Sequence, residues 1–331
     1  MGMEPDLTQP VPFLFAPQSD FPSGDGSVAI ITRASRPGPF LARCLESVRN
    51  QTYQNISHVI VLNGPDVAHL ESALQGRGRN LAFIRSGAKL NRPMAANFGL
   101  ESSDSEFVLL LDDDDSLEPS AIEDMVGFLR DPANRLFGGV ACWVEVQQER
   151  LNLDGSLLEV GRESLNSWMR HVGLVHLART NCIFTNGFLY RRAAQLGVGH
   201  YNPALPVVED WEFNLRFLLR FEIGVVPKVL AKYHIRIGQT DEMSGNSLVA
   251  AQSLHERYDR MVRNSVLRKS LETPELQALA AVLSLGRLQY ETALEIDRIQ
   301  RTIDTARSIW RKSLLPIYRF FRSLFSWTKR K

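Results

Sequence analysis

Apolar positions in the first third of the chain fall into short solid runs separated by stretches with helical spacing. Val28-Ala29-Ile30-Ile31, His58 to Leu62, Leu81 to Ile84 and Phe107 to Leu111 each read as a buried strand. Between them, Pro39 to Gln51 places Phe40, Leu41, Cys44, Leu45 and Val48 on one helical face. A second helix is expected around Asp66 to Leu74, and a third, rich in small residues, from Pro93 to Glu101. Strands alternating with helices at this spacing predict a mostly parallel α/β sheet flanked by helices. Further on, the pattern predicts a helix over Glu118 to Arg130, a strand over Gly138 to Val146, a helix over Glu209 to Phe221 and a strand over Val225 to Tyr233. Residues 147–185 give no clear period and are expected to be rich in loops. From about Ser247 the pattern is helical, broken by Pro274 and Pro316.

Composition narrows this picture only slightly. The 331 residues are 44% hydrophobic and 23% charged, ordinary for a globular protein, and the net charge of +1 gives no reason to expect a nucleic-acid partner. Cys44, Cys142 and Cys182 are scattered without metal-like spacing, which suits buried thiols in a reducing compartment. The first residues lack a basic stretch ahead of an apolar core, so a secretory signal is not expected. No run reaches the roughly 20 apolar residues that span a bilayer. The expected location is the cytoplasm.

The chemistry concentrates behind the fourth strand, where Asp112, Asp113, Asp114 and Asp115 follow Leu111 directly. Carboxylates at that point emerge at the carboxyl edge of the sheet, where ligands bind in open α/β folds. If the chain stays extended, Asp112 and Asp114 project to one side and Asp113 to the other. Two carboxylates on one side form half of a site for Mg²⁺ or Mn²⁺. Read alone, the run is equally an acidic turn ahead of a helix. Glu209-Asp210 likewise reads either as a helix-start signal or as a functional pair.

The order of motifs resembles a family-2 glycosyltransferase over residues 27–240. Val28 to Ile31 with Arg36-Pro37 is similar to the family's opening strand and loop. Cys44-Leu45-Glu46-Ser47-Val48 with Asn50-Gln51-Thr52-Tyr53 resembles its first helix and the following turn. Ala95-Ala96-Asn97-Phe98-Gly99, the segment Leu111 to Asp115 with Leu117-Glu118-Pro119, and Glu209-Asp210-Trp211-Glu212 follow in the family's order. The resemblance implies a GT-A, Rossmann-like fold, with residues 1–26 as a lead-in and 241–331 as a helical C-terminal extension. It implies an inverting, metal-dependent transfer of a sugar from a nucleotide-diphosphate donor, a UDP-sugar by family habit. The acceptor would be a hydroxyl of a glycan, a lipid-linked or a protein acceptor, in the making of a bacterial-type surface or secondary glycan.

The same resemblance assigns roles. Asp210 is expected to be the general base, and Asp112, Asp114 and His234 to hold Mn²⁺ or Mg²⁺. Thr32, Arg36, Asn63, Arg92, Asn97 and Asp113 are expected on the donor side, and Glu209, Trp211 and Asn186 on the acceptor side. The base-binding motifs depart from the family's pattern: Leu62 stands where an acid is usual, Ala34 where an aromatic is, and Ala96 where an arginine is. These departures keep open an alternative, a catalytically silent GT-A domain that binds nucleotide or glycan as an assembly partner.

Residues 306–331 contain no acid but eight basic residues, from Arg307 to Lys331, interleaved with Trp310, Leu314, Ile317, Phe321 and Leu324. This basic amphipathic stretch is expected to lie on an anionic surface at the inner face of the cell membrane, or else to dock on its own domain or form a dimer contact.

Overall fold

The computed structural model describes residues 21, 24–64, 68–74, 76, 78, 80–152, 156–237, 252–273, 276–310, 312 and 315. Of the stretch 306–331, therefore, only residues 306–310, 312 and 315 are described, and most of the lead-in 1–26 lies outside the described residues.

Among the described residues nine strands form one sheet. In chain order they are β1 (Val28–Ala34), β2 (Ile56–Leu62), β3 (Leu81–Arg85), β4 (Phe107–Asp112), β5 (Ser116–Leu117), β6 (Phe137–Leu151), β7 (Leu157–Ser164), β8 (Phe188–Arg191) and β9 (Glu222–Arg236). The order across the sheet is β3-β2-β1-β4-β8-β6-β9-β5, with β7 paired to β6 beside this path. The first four strands are parallel, as the alternation of strand and helix predicts. β8 then runs antiparallel to both β4 and β6, while β9 returns parallel to β6.

Both faces of β1 and β4 are covered, which is why these strands are apolar without alternation. Ala29, Ile31, Val108 and Leu110 face one core, and Val28, Ile30, Phe107, Leu109 and Leu111 face the other. The second core is closed by α1 (Pro39–Arg49) and α4 (Ala121–Arg130) through Cys44, Val48, Ile122 and Met125. Between these helices in the chain lie α2 (Ala68–Leu74) and α3 (Arg92–Glu101). Asn91 caps α3, its side chain accepting from the Met94 N–H at 3.0 Å. The small residues of α3 let it lie flush on the sheet; a Cβ on Gly99 would collide with Ile31 and Val61.

Two expectations change here. The chain does not stay extended through the aspartates. The Asp115 N–H donates to the Asp112 carbonyl at 3.1 Å, closing a turn, so strand alternation does not set their directions. Residues 147–185 are also more ordered than their pattern predicts. β6 runs on to Leu151 and forms an antiparallel arm with β7, followed by the helix α5 (Leu174–Arg179). β7 is exposed or half-exposed throughout and needs no apolar period to hold its place; its register comes from pairing with β6.

The remaining helices are α6 (Arg192–Val198), α7 (Glu209–Leu218), α8 (Gln252–Ser270) and α9 (Gln277–Ile309). The last two are not a loose extension. Val262, Leu279 and Leu283 share a core cluster with Leu177, Ala178 and Trp211. The Arg263 guanidinium fastens the junction, donating to the carbonyls of Ala178 at 2.7 Å and Leu283 at 2.8 Å. It also lies 4.6 Å from the Trp211 ring centre. Among the described residues no helix is long and apolar enough to cross a membrane.

Candidate functional site

The carboxyl ends of β1 and β4 lie side by side, and their register sets Arg33 opposite Asp112. Arg33 donates through Nε to the Asp112 carboxylate at 3.1 Å, with a second, closer contact from Nη2. Arg92, in the first turn of α3, donates from Nη2 to the other oxygen at 2.7 Å. Both guanidiniums also face Glu209 at the start of α7, Arg33 at 3.7 Å and Arg92 at 3.6 Å. Arg33 and Arg92 thus bridge the aspartate turn to the Glu209-Asp210 pair. Burial opposes ionisation of Asp112, but the two arginines outweigh it and hold its carboxyl at about 2.

The rest of the turn is not neutralised in the same way. Burial, with repulsion from Asp114 and Asp112, pushes Asp113 up to about 7. Asp114 receives a hydrogen bond from Arg236 at 2.9 Å, and its backbone carbonyl receives one from Arg43 at 2.8 Å. Asp115 turns inward. Its carboxylate accepts from Asn186 Nδ2 at 2.9 Å and from the His234 N–H at 3.3 Å, and burial raises its pKa well above the ordinary value.

Behind the turn, Glu149 is a buried hub. It accepts from Arg43 Nη1 at 2.6 Å and is paired with His234 Nδ1 at 2.8 Å. The other ring nitrogen of His234 lies 2.8 Å from the Ser116 hydroxyl. Burial lowers the pKa of His234, with Glu149 pulling the other way. Pairing β6 with β9 sets Gln147 opposite His234 and Glu149 opposite Arg236, so the arm behind the turn is built by sheet register.

The Glu209-Asp210 side is built on strain. Val208, just before α7, has φ 57°, the left-handed region that a β-branched residue rarely adopts. Glu209 is buried, which raises its pKa against the pull of Arg92. Asp210 accepts from the Trp211 N–H at 2.8 Å and from Asn181 Nδ2 at 2.8 Å. Burial raises its pKa too, more than the Trp211 N–H and Arg92 lower it. A carboxylate with a raised pKa, held by two hydrogen bonds, is equipped to accept a proton.

Several expected site residues lie elsewhere or serve the scaffold. Thr32 is fully buried, its hydroxyl 2.9 Å from His58 Nε2, so it offers nothing to a donor. Asn63 spends its amide on the backbone of Leu90, and Asn97 clasps the backbone of Tyr201, so both act as clamps on loops. Asn186 and Trp211 are 1% and 2% exposed and present no surface to an acceptor; the Trp211 indole donates to the Leu177 carbonyl at 2.7 Å. Asp112 is engaged by two guanidiniums, and His234 is 2% exposed with both nitrogens engaged. Asp112, Asp114 and His234 thus each have protein partners and do not converge as a cluster among the described residues. Arg36 is exposed beside Asp113, and Arg92 remains the most open of the bridging groups.

Sequence reading missed Arg33, Arg43, Glu149 and Asn181. Only the register of β1 on β4 shows Arg33, and only the β6–β9 pairing shows Glu149.

Among the described residues no three His, Cys, Asp or Glu side chains converge as a ready metal cluster. A cation bound with a diphosphate, however, needs only one or two carboxylates and takes its other oxygens from phosphate and water. Asp114 and Asp113 fit that smaller demand, because the turn carries carboxylate charge that burial leaves poorly compensated at Asp113.

The match to known proteins follows the same ground. Residues 27–184 match the model of glycosyl transferase family 2. EpsH of Bacillus subtilis is 30% identical over 105 residues, 30% of this chain and 29% of that protein, so the chain spans under a third of that relative. Among solved structures, S. aureus TarS 1-349 in complex with UDP-GlcNAc superposes with TM-score 0.56 at 16% identity, over 80% of this chain and 73% of that one. The mannosyltransferase PcManGT from Pyrobaculum calidifontis, in complex with GDP-Man and Mn²⁺, gives 0.50 at 13% identity, over 92% and 88%. The fold of those structures is the GT-A arrangement of the present sheet. The family match lies on the strands that carry Arg33 and the aspartate turn, so residues 27–184 are similar to glycosyl transferase family 2.

Proposed function

We propose that this protein transfers a sugar from a nucleotide-diphosphate sugar to an acceptor hydroxyl with inversion, using Asp210 as general base. The observation that carries the reading is the Arg33–Arg92 bridge, which ties the aspartate turn and the Glu209-Asp210 pair into one ion-pair network. In the reaction the acceptor oxygen attacks the anomeric carbon, its proton passes to the Asp210 carboxylate, and the bond from that carbon to the diphosphate breaks. Asn181 and the Trp211 N–H hold the two oxygens of Asp210 in place for this. Arg36 and Arg92 are positioned to meet the charge of the diphosphate. A divalent cation, Mn²⁺ or Mg²⁺, would be held by Asp114 with Asp113 and would stabilise the leaving diphosphate as a Lewis acid.

TarS in complex with UDP-GlcNAc and PcManGT in complex with GDP-Man and Mn²⁺ support a nucleotide-sugar donor and a cation. A UDP-sugar is our first choice. The acceptor proposed is a glycan, a lipid-linked or a protein hydroxyl of a surface polysaccharide. A cytoplasmic enzyme held at the inner membrane face is the reading favoured by the basic composition of 306–331. The rival, a silent binding domain, draws on the fact that Thr32, Asn63 and Asn97 all use their polar atoms internally.

A panel of nucleotide sugars including UDP-GlcNAc and GDP-Man, screened with Mn²⁺ for thermal stabilisation and for donor turnover, tests both readings. A stabilising donor that turns over in wild type and not in Asp210→Asn supports the enzyme. Stabilisation with equal, absent turnover in both supports the silent domain. Asp114→Ala should remove the Mn²⁺ dependence of donor binding, and an unaltered Mn²⁺ titration would refute its role.

A further inference from the structure

We propose that α9 is a dimerisation helix, whose outer stripe packs against the same stripe of a second copy of this chain. At 100° per residue, Leu285, Leu288, Ile296, Ile299, Ile303 and Trp310 fall within about 80° of one another around the helix. All six are exposed, between 40% and 62%. From Ile296 the steps are three, four and seven residues, the spacing of a coiled-coil seam rather than the broader face of a helix lying on a globule.

The stripe points away from its own domain. Leu279, Ala280 and Leu283 are the buried residues of α9, and Gly286 lies so close to α5 that a Cβ there would come within 2.6 Å of the Ala178 backbone. These four residues occupy the side of the helix roughly opposite the stripe. Docking of α9 on its own core therefore leaves the stripe uncovered among the described residues.

Charge identifies what covers it. Between Leu285 and Trp310 there are four acidic residues, Glu291, Glu295, Asp297 and Asp304, and four arginines, Arg287, Arg298, Arg301 and Arg307. The charges pair along the helix itself, as Arg301 does with Asp297 at 2.9 Å and Arg287 with Glu291 at 2.8 Å. These pairs lie on the sides of the helix away from the stripe, and a helix whose charges are balanced and self-paired along its length lacks the lysine and arginine clusters that recruit anionic lipid. An apolar seam beside internally satisfied charges suits another helix of the same kind. Two copies related by a two-fold axis bring the same stripe to each other. The six residues expose roughly 600 Å² together, most of the ~800 Å² that each partner of a standard stable interface contributes.

Sedimentation of the full chain at tens of micromolar tests this. Wild type should sediment at twice its 37.3 kDa mass, and Ile299→Asp/Ile303→Asp at the single mass with unchanged helical circular dichroism. Should the double aspartate variant fold poorly, Ile296→Gln and Ile303→Gln each should weaken the dimer by roughly tenfold or more. Arg298→Asp, on the outer face away from the stripe, should leave it dimeric. A monomeric wild type, or a dimer untouched by the stripe substitutions, would overturn the proposal. So would binding of wild type to phosphatidylglycerol vesicles that these substitutions abolish. Donor binding and turnover are separate readouts, so this outcome does not depend on the function proposed above.

Discussion

The aspartate turn and the start of α7 both carry adjacent acids, and the fold treats Asp112 of the one and Asp210 of the other in opposite ways. Asp112 is held at about 2 by Arg33 and Arg92, so it stays ionised as a fixed partner of two cations. Asp210 receives only neutral donors, Asn181 and the Trp211 N–H, and burial raises its pKa. The same two arginines reach Glu209 as well, so one pair of guanidiniums anchors both regions. Burial raises the pKa of Asp113 and Asp115 at the turn and of Glu209 and Asp210 at the helix. Asp115 is tied to Asn186 and His234 and Glu209 faces the two arginines, so Asp113 and Asp210 are the raised carboxylates outside that anchoring. Adjacent acids therefore divide into those that fix the geometry and those free to exchange a proton or meet a cation.

The largest break of this comparison is Asp210→Asn. Transfer should fall by about 10²–10⁴-fold, the range of a lost general base, with the dissociation constant for donor nearly unchanged. In wild type the acid limb of kcat should lie above the ordinary aspartate range, because the base form of Asp210 is lost as pH falls through its raised pKa. An acid limb that persists in Asp210→Asn would assign that limb to another group.

Next comes Arg33→Met, which leaves Asp112 and Glu209 without one of their two cations inside the protein. Urea unfolding should show a loss of about 3–5 kcal/mol at pH 7. The sign with pH follows from Asp112. Its folded pKa is depressed, so its pairing stabilises fully above the unfolded value near 4 and is lost as pH falls towards 2. The deficit of the variant should shrink over that window, and a constant deficit would place the effect elsewhere. Arg92→Met should cost less, about 1 kcal/mol, because its side chain is 41% exposed and solvent screens the pair.

The smallest effect sharpens the contrast rather than breaking it. Asp113 has a raised folded pKa, so it opposes folding above about pH 4, and increasingly up to about 7. Asp113→Asn should raise stability by about 1 kcal/mol at pH 8 and by nearly nothing at pH 3. Saturating Mn²⁺ with donor should reduce that gain, since the cation would supply the missing positive charge. A gain that is equal at both pH values would rule out charge as its cause.

Much of the parallel half was legible because β1, β2 and β4 are buried on both faces and the helices between them are amphipathic. The turn Asp112–Asp115 was located correctly in the chain but misjudged in shape, since a hydrogen bond between its own backbone groups outweighs strand continuation. The β6–β7 arm was not legible, because its partly exposed surface carries no apolar period. Trp211, Asn186 and Thr32 are all buried in the structure. Residues adjacent in sequence to chemistry can point into the core, and sequence does not give the direction of a side chain at a helix start or strand end.

By itself the sequence determined the strands and helices of the parallel half, that four carboxylates follow β4, and that an acidic pair opens α7. Local propensity and burial pattern act over a few residues, and those features need nothing more. The tertiary structure decided which acids are neutralised. Arg33 meets Asp112 only through the register of two strands 79 residues apart in the chain, and Glu149 meets His234 only through the pairing of β6 with β9. Charge is compensated across space, not along the chain, so the division between anchoring and reactive carboxylates becomes visible only when the sheet is assembled.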